Sequence, residues 1–441
     1  MAEMKDSGIH AIGRIPKEWN VVRTKYLSNI SIGLVTTMTE NYVEKEEGVP
    51  LIRNGNIRCN KIDVNGMVFL DKRFAEKNKH RQLHTGQIAT VHTGDVGTSI
   101  VIPEEYDGGL GFATIQSTPY KGVSSEFLCW FYNSAAFKNQ CIECSTGDGR
   151  QNLNLYDFVD LFVAIPKYDL QSKIASFLDK KCAEIDSLHT DIEKQIETLE
   201  EYKKSIITEA VTKGLDPDVE MKDSGIEWVG MIPKNWSVTR MQEIGTYKKG
   251  PFGSAITKNM FVEKDDNTYK VYEQKNAIYK NVELGYYYIP FSIYKRLKEF
   301  AIIPQDIIVS CAGTIGECYI MPNNMEKGII NQALMRIRLK ENINKNYFIY
   351  VFDIILTYAN LKYSNGSAMK NIPPFSVLKK LGIPLPSVQE QEKIANYLDD
   401  FCNEIDGVIV DKKKQLETLE QYKKSLIYEY VTGKKEVPDY E

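Results

Sequence analysis

The chain contains the same unit twice, and this constrains its fold more than any other feature. Residues 4–27, MKDSGIHAIGRIPKEWNVVRTKYL, align with 221–244, MKDSGIEWVGMIPKNWSVTRMQEI, at 13 of 24 positions. Residues 171–212, QSKIASFLDKKCAEIDSLHTDIEKQIETLEEYKKSIITEAVT, align with 391–432, QEKIANYLDDFCNEIDGVIVDKKKQLETLEQYKKSLIYEYVT, at 25 of 42. Between these blocks lie middles of 143 residues (28–170) and 146 residues (245–390) that agree far less. GQIATVHTGDVG (86–97) still lies over QDIIVSCAGTIG (305–316), so Gly94 meets Gly313 and Gly97 meets Gly316. STGDGRQNLN (145–154) is loosely echoed by SNGSAMKNIP (364–373). A repeat this long is not a solenoid. The pattern is a tandem duplication of a domain plus its closing segment, one fold carrying two different surfaces.

The closing segments read as long helices. Residues 171–212 hold no Gly or Pro and are rich in Glu, Lys, Gln, Leu and Ile, which favour helix. Apolar residues recur at a mean of about 3.5, the heptad period. The spacing predicts a seam through Ile185, Leu188, Ile192, Gln195, Leu199, Tyr202 and Ile206. In the second copy it predicts Ile405, Val408, Lys412, Gln415, Leu419, Tyr422 and Leu426. Ser387 and Glu390 have capping-box spacing, with Pro384 and Pro386 ending the strand before them, and Asp169 is the expected cap in the first copy. Gly214 and Gly433 follow the helix ends. At 1.5 Å per residue each helix spans roughly 60 Å. The second module lies between the two helices in the chain, so they can pair as an antiparallel coiled coil. The expected boundaries are 1–168 and 215–386 for two globular modules, with helices at 169–214 and 387–434.

Each middle shows short apolar runs broken by turn signals: VPLIRNGNI (49–57), MVFL (67–70), IATV (88–91) and SIVIP (99–103), then YKVYE (269–273), YYYIP (286–290), DIIVS (306–310) and ALMRIRL (333–339). This predicts a mixed α/β module with a curved sheet. The paired glycines fit tight strand turns, and a close approach to phosphate is the alternative. Net charge is −4 and the pI about 5.9, which by itself argues against nucleic acid, but the acids concentrate in helices and openings. Basic residues gather in the unlike middles: Lys72, Arg73, Lys77, Lys79 and Arg81 in the first, and Lys248, Lys249, Lys295, Arg296 and Lys298 in the second. They lie near Tyr, Phe, Asn and Gln, the types that contact phosphates and base edges. A solvated helix face is the bland reading of such runs.

Catalytic signals fail on inspection. NIPPF (371–375) approaches the Asn-Pro-Pro-aromatic grip of an adenine methyltransferase but has Ile372 interposed. There is no G-x-x-x-x-G-K-[ST]. Asp218, Glu220 and Lys222 have the letters of a metal-dependent nuclease but are crowded into the linker between repeats. Cys141 and Cys144 form a lone C-x-x-C without a second pair, so buried thiols are expected rather than zinc. Cys182 and Cys402, at equivalent places, suggest helix packing. No apolar run approaches 18 residues and no secretory pattern opens the chain, so no membrane association is expected and the cytoplasm is the expected compartment.

The opening MKDSGIEWVGMIPKNWSV, the DIIVSCAGTIGECYI segment, and IPLPSVQEQEKIANYLD leading into ETLEQYKKSLI together resemble the specificity subunits of Type I restriction-modification systems, over essentially the whole chain. The first copy departs locally, with HAIG for EWVG and TGDVG for CAGTIG. The resemblance implies two target-recognition domains, each reading one half of an asymmetric, split site in double-stranded DNA. It implies that the helices separate them and dock two methyltransferase subunits, with restriction/translocase subunits joining that core. It further implies that the chain is not an enzyme and binds no cofactor, S-adenosylmethionine and ATP being used by the partners. The competing readings are a coiled-coil scaffold that binds no DNA and a self-sufficient modifying enzyme.

Overall fold

The computed structural model describes residues 3–36, 38–147, 149–363 and 374–438. The residues 364–373, with the first three of NIPPF, lie outside the described ones. The chain forms two compact units, Met1–Lys194 with Lys412–Glu441, and Gln195–Asp411. Each holds one module and part of each long helix, so the units divide the helices that the sequence boundaries kept whole.

In the first unit the repeated word is a hairpin. Met4–Asp6 pairs antiparallel with Arg14–Pro16. The Asp6 carboxylate accepts from the Gly8 amide at 3.0 Å and the Ser7 hydroxyl from the Ile9 amide at 3.1 Å, the local turn chemistry of Asp and Ser. In the second unit Met221–Asp223 pairs with Met231–Pro233, with the same two bonds at Asp223 and Ser224. The word thus encodes a turn.

Each middle builds two four-stranded sheets rather than one curved sheet. The first module has an antiparallel sheet ordered Ser99–Val101, Ile88–Val91, Thr114–Pro119, Ser28–Ile32, and a mixed sheet ordered Leu110–Phe112, Gly48–Arg53, Val68–Asp71, Tyr42–Val43. The second module repeats the first sheet as Cys318–Ile320, Ile307–Ser310, Leu334–Leu339, Gly245–Lys249. Its mixed sheet is Tyr288–Pro290, Thr268–Tyr272, Gly328–Ile330, Ala301–Ile302. In each module helix packs on the antiparallel sheet. Ser125–Asn133 and Ala135–Cys144 cover the first; a single helix, Lys345–Tyr363, covers the second. Trp19, Phe127, Phe131, Tyr132, Phe137 and Phe158 fill the first core and Trp236, Tyr347, Phe348 and Phe352 the second.

The long helices run Tyr168–Lys213 and Val388–Val431. Ser387 caps the second, its hydroxyl accepting from the Glu390 amide at 3.3 Å. In the first, Lys167 stands at the cap, because the Leu170 and Gln171 amides bond its carbonyl. Asp169 is inside the first turn, where its charge suits the helix dipole. Pro384 does not end the preceding strand but lies in it, paired with Val238 in a two-stranded ladder, an edge setting that tolerates a missing N–H. Gly214 and Gly433 have φ of +79° and +68°. A Cβ on Gly433 would come within 2.6 Å of Pro16, and one on Gly214 within 3.2 Å of Trp236. The opening of each module therefore seats on a helix end. The identical glutamines heading both closing blocks pin the helices to their modules. Gln171 accepts from the Ser124 amide and donates to the Pro166 carbonyl; Gln391 does the same with Asn344 and Pro386.

Within each unit the helix segments run antiparallel. In the first, Phe177 packs on Tyr430 (ring centroids 4.4 Å), Asp186 pairs with Lys423, and His189 lies 3.9 Å from Glu420. In the second, Lys203 pairs with Asp406 at 2.6 Å and Tyr202 meets Phe401 edge-on. The buried line passes through Cys182, Ile185, His189 and Ile192 in the first unit and Ile196, Leu199, Lys203, Ile206 and Ala210 in the second. On the other helix it passes through Cys402, Ile405 and Ile409 in the second unit, and Lys412, Leu416, Leu419, Lys423, Leu426 and Tyr430 in the first. This corrects the seam read from spacing. Leu188, Gln195, Tyr202, Val408, Gln415 and Tyr422 stand beside the line, exposed, and their places are taken by His189, Ile196, Lys203, Ile409, Leu416 and Lys423. Lys203 and Lys423 are admitted because each ammonium meets a carboxylate, Asp406 and Asp186.

Candidate nucleic-acid interface

The basic residues of the first module lie on one local element. Val68–Asp71 ends the mixed-sheet strand, and the Asp71 carboxylate caps the helix Lys72–Lys77 by accepting from the Arg73 and Phe74 amides. A 3-10 turn, Lys79–Arg81, follows. Lys72, Arg73, Lys77 and Lys79 are exposed. Lys79 makes only a loose pair with Glu76 at 3.8 Å. Arg81 differs: it is half-buried and donates to the Gly33 carbonyl at 3.0 Å, so it ties the turn to the sheet.

The second module puts its basic residues on the corresponding element. Tyr288–Pro290 leads into the helix Phe291–Arg296 and the 3-10 turn Lys298–Phe300. Both start 219 positions after their counterparts, the same offset that superposes the paired glycines. Lys295, Arg296 and Lys298 are exposed, and Phe291 beside them is 55 % exposed. Lys249 is exposed on the strand Gly245–Lys249. Lys248 on that strand is half-buried, pairs with Glu299, and lies 4.8 Å from the Phe300 ring centre, so it stiffens the turn. Sequence reading found both clusters without the fact that gives them weight: they share one place in one topology while their residues differ.

The glycine loops are turns with φ between +65° and +103°. Gly97 and Gly316 back onto helix, where a Cβ would meet Cys141 Sγ at 3.0 Å and Leu356 Cδ1 at 2.9 Å. Gly94 faces open space, and a Cβ on Gly313 would meet the Gln274 Nε2 at 3.6 Å, an ordinary contact. Each loop is tied by an amide missed in the sequence: Asn54 donates to the Thr93 carbonyl and Gln274 to those of Ala312 and Thr314. In the first module Asn54, Arg58, Thr93, Asp95, Lys138 and Arg150 line a polar cleft of about 470 Å³.

The remaining candidates have structural roles. Glu220 pairs with Lys234 at 2.7 Å across the base of the second hairpin, as Glu3 does with Lys17 in the first. Burial pushes the Cys141 thiol up, and that of Cys182 up to about 12, which disfavours thiolate chemistry. Among the described residues no group of three or more His, Cys, Asp or Glu side chains is placed to hold a metal ion, and no helix is long and apolar enough to cross a membrane.

Comparison with known proteins adds the following. The domain family described as "Type I restriction modification DNA specificity domain" matches twice, at residues 16–198 and 233–418. The putative type I restriction enzyme MjaX specificity subunit of Methanocaldococcus jannaschii is 25% identical over 435 residues, covering 96% of this chain and 95% of that protein. The EcoKI specificity subunit of Escherichia coli (strain K12) is 24% identical over 204 residues, 45% of this chain and 44% of that one. Among solved structures, a chain from work on complex assembly and conformational transition of the type I R-M system matches with a TM-score of 0.70 at 13% identity, covering 95% and 98%. The HsdS subunit from Thermoanaerobacter tengcongensis matches with a TM-score of 0.53 at 14% identity, with the same coverage. At such identities these two speak to the fold.

Proposed function

Because the chain belongs to the type I restriction-modification DNA specificity family, whose work is target recognition and not catalysis, we propose that it reads a bipartite, asymmetric site in double-stranded DNA, one half with each module. The observation that carries this is the pair of modules that share the antiparallel sheet and three mixed-sheet strands but have unlike surfaces, each placing exposed cations on the element after the same mixed-sheet strand. Phosphate contacts from these cations hold the duplex without regard to sequence, and the side chains that differ between the modules select the bases. Two modules on one chain bind tightly only when both half-sites are present at a workable gap. The long helices separate the modules in the chain, and their length sets that gap.

The helix segments also carry the surface for recruitment. In an antiparallel pair the positions just before the seam on both helices share a face. In the first unit that face shows Leu188 and Tyr422, and in the second Val408 and Tyr202, all exposed. The opposite face is charged, with Asp186, Glu193 and Glu420 in the first unit and Glu200 and Asp406 in the second. An apolar patch repeated once per unit fits two copies of one partner, the methyltransferase subunit. Restriction/translocase subunits join that assembly, S-adenosylmethionine and ATP are held by the partners, and the complex works in the cytoplasm. The base to be methylated is extruded by the methyltransferase, and this chain determines which base that is.

The test is methylome sequencing of the host with and without this chain, joined to gel shifts with the co-expressed methyltransferase. Loss of one split motif on deletion is expected. Absence of sequence-dependent binding at every salt concentration would leave a scaffold instead.

A further inference from the structure

The mixed sheet of the second module buries a cation where the fold asks only for hydrocarbon. Lys270 lies on Thr268–Tyr272, opposite Gly328 in a parallel ladder, with its side chain 1% exposed. The same ladder position in the first module holds Leu51, opposite Leu110 and fully buried. A leucine therefore suffices for the architecture, and enclosing an ammonium carries a large desolvation cost that specific partners must offset. Its hydrogen-bond partners are main-chain, Lys270 Nζ donating to the Val282 carbonyl at 2.8 Å and the Glu283 carbonyl at 3.1 Å, and the Glu326 carboxylate makes an ion pair at 3.7 Å. Asn276, also fully buried, donates to the flanking carbonyls of Asn281 at 2.9 Å and Leu284 at 2.7 Å. Four consecutive carbonyls, 281 to 284, are thus gripped from beneath by two buried side chains.

The gripped segment, 279–287, links the helix Gln274–Ile278 to the strand that enters the basic helix Phe291–Arg296. Outward it shows Tyr279, 70% exposed, and Tyr286, 89% exposed. Lys280 holds a left-handed φ of +49° between Tyr279 and the gripped carbonyls, and Lys275 lies 5.8 Å from the Tyr286 ring centre. The matching stretch of the first module, CNKIDVNGM (59–67), has no aromatic residue. Main chain fixed inward with amphipathic rings held outward is how a rigid reading surface is made, since tyrosine offers apolar contact and a hydroxyl with few torsions to immobilise.

We propose that 279–287 is a base-reading loop of the second module, with Tyr279 and Tyr286 as its DNA contacts and Lys270 as the residue that positions them. This rests on the DNA-reading function proposed above. The experiment uses the full chain with its methyltransferase partner. Duplexes carry the motif found by methylome sequencing, with single substitutions in one half-site or the other. Tyr279→Ala, Tyr286→Ala and Lys270→Leu are compared with wild type, with hydrogen exchange followed at the 281–286 amides. The tyrosine variants are expected to lose roughly tenfold or more of the discrimination at the second half-site, the scale of a single base contact, with the first half-site unaffected. Lys270→Leu should reproduce that loss with faster exchange at 281–286 and an unaltered salt slope. Wild-type discrimination in both tyrosine variants would overturn the proposal while leaving the DNA-reading function intact. No discrimination in wild type would overturn both. Loss in the tyrosine variants but not in Lys270→Leu would remove the positioning role and keep the loop.

Discussion

Ile185→Ala and Leu188→Ala test the helix seam most directly, because the two residues are three apart on one helix and the structure gives them opposite fates. Ile185 is 7% exposed and belongs to the first unit's core, whereas Leu188 is 52% exposed. Truncating a buried isoleucine to alanine costs about 2–5 kcal/mol, the spread reflecting how far the site can collapse. A leucine that keeps half its surface in water has at most about 1 kcal/mol of burial to lose, and alanine's helix propensity offsets part of that. The expected gap between the variants is therefore about 2 kcal/mol, close to a thirtyfold difference in the unfolding constant. Urea unfolding followed by circular dichroism reads the global effect. Hydrogen exchange at residues 182–192 assigns it to this unit, which matters in a chain whose two units need not unfold together. If Leu188→Ala costs as much as Ile185→Ala, the seam lies where the apolar spacing alone put it and the exposed face described above does not exist. The same Leu188→Ala chain should bind the methyltransferase more weakly, by about 1–2 kcal/mol if the leucine sits near the centre of that contact.

Replacing Lys72, Arg73 and Lys79 together by alanine should lower DNA affinity and flatten the slope of log K against log salt by roughly 0.9 for each phosphate no longer neutralised; an unchanged slope in a salt titration would make that helix a solvated face. Gly407 lies within the second long helix with nothing within 4 Å of a built Cβ, so Gly407→Ala should stabilise by about 0.5–1 kcal/mol. Gly433→Ala would drive a Cβ to 2.6 Å from Pro16 at a φ of +68°, and thermal denaturation should show a loss exceeding about 1 kcal/mol. Burial would raise the Asp186 carboxyl, but hydrogen bonds and charge from Lys423 and Lys61 hold it below the usual carboxylate range. With the folded value below the unfolded one, its contribution is present above the ordinary carboxylate pKa and is lost as pH falls through the folded value. Asp186→Asn should therefore cost stability at pH 7 and progressively less as the pH is lowered through the folded value; an undiminished cost in acid would contradict the ion pairing.

The loop pattern also bears on how the two modules diverge. Residues 279–287 and 59–67 occupy matching places: Ile62-Asp63-Val64 lies over Val282-Glu283-Leu284, while Cys59, Gly66 and Met67 stand where the second module has Tyr279, Tyr286 and Tyr287, and the buried amides behind them, Asn56 and Asn276, grip main-chain carbonyls alike. A loop held through its backbone can change its outward side chains without disturbing the sheet, so on the proposed reading target sequence and stability are specified by different atoms.

The sequence by itself determined the duplication, the extents of the two long helices to within a few residues, and four strand runs in each module, though not Ser28–Ile32, Thr114–Pro119, Gly245–Lys249 or Gly328–Ile330, because repeats, heptad periodicity and helix-ending glycines are local properties. One line of the helix stripe was also legible: Ile185, Ile192, Leu199 and Ile206 recur every seven residues in any register. Which neighbour completes the seam was not, since Leu188 and Tyr202 are more apolar than His189 and Lys203. Only the partner helix decides, by bringing Asp406 to Lys203 and Asp186 to Lys423. In the same way a lysine in YKVYE reads as the polar side of a strand, and Arg81 reads as one more surface cation. The tertiary structure buries the first beneath a loop and commits the second to the Gly33 carbonyl. What a charge does depends on which carbonyl or carboxylate the fold carries to it, and those partners lie 12 to 237 residues away in the chain.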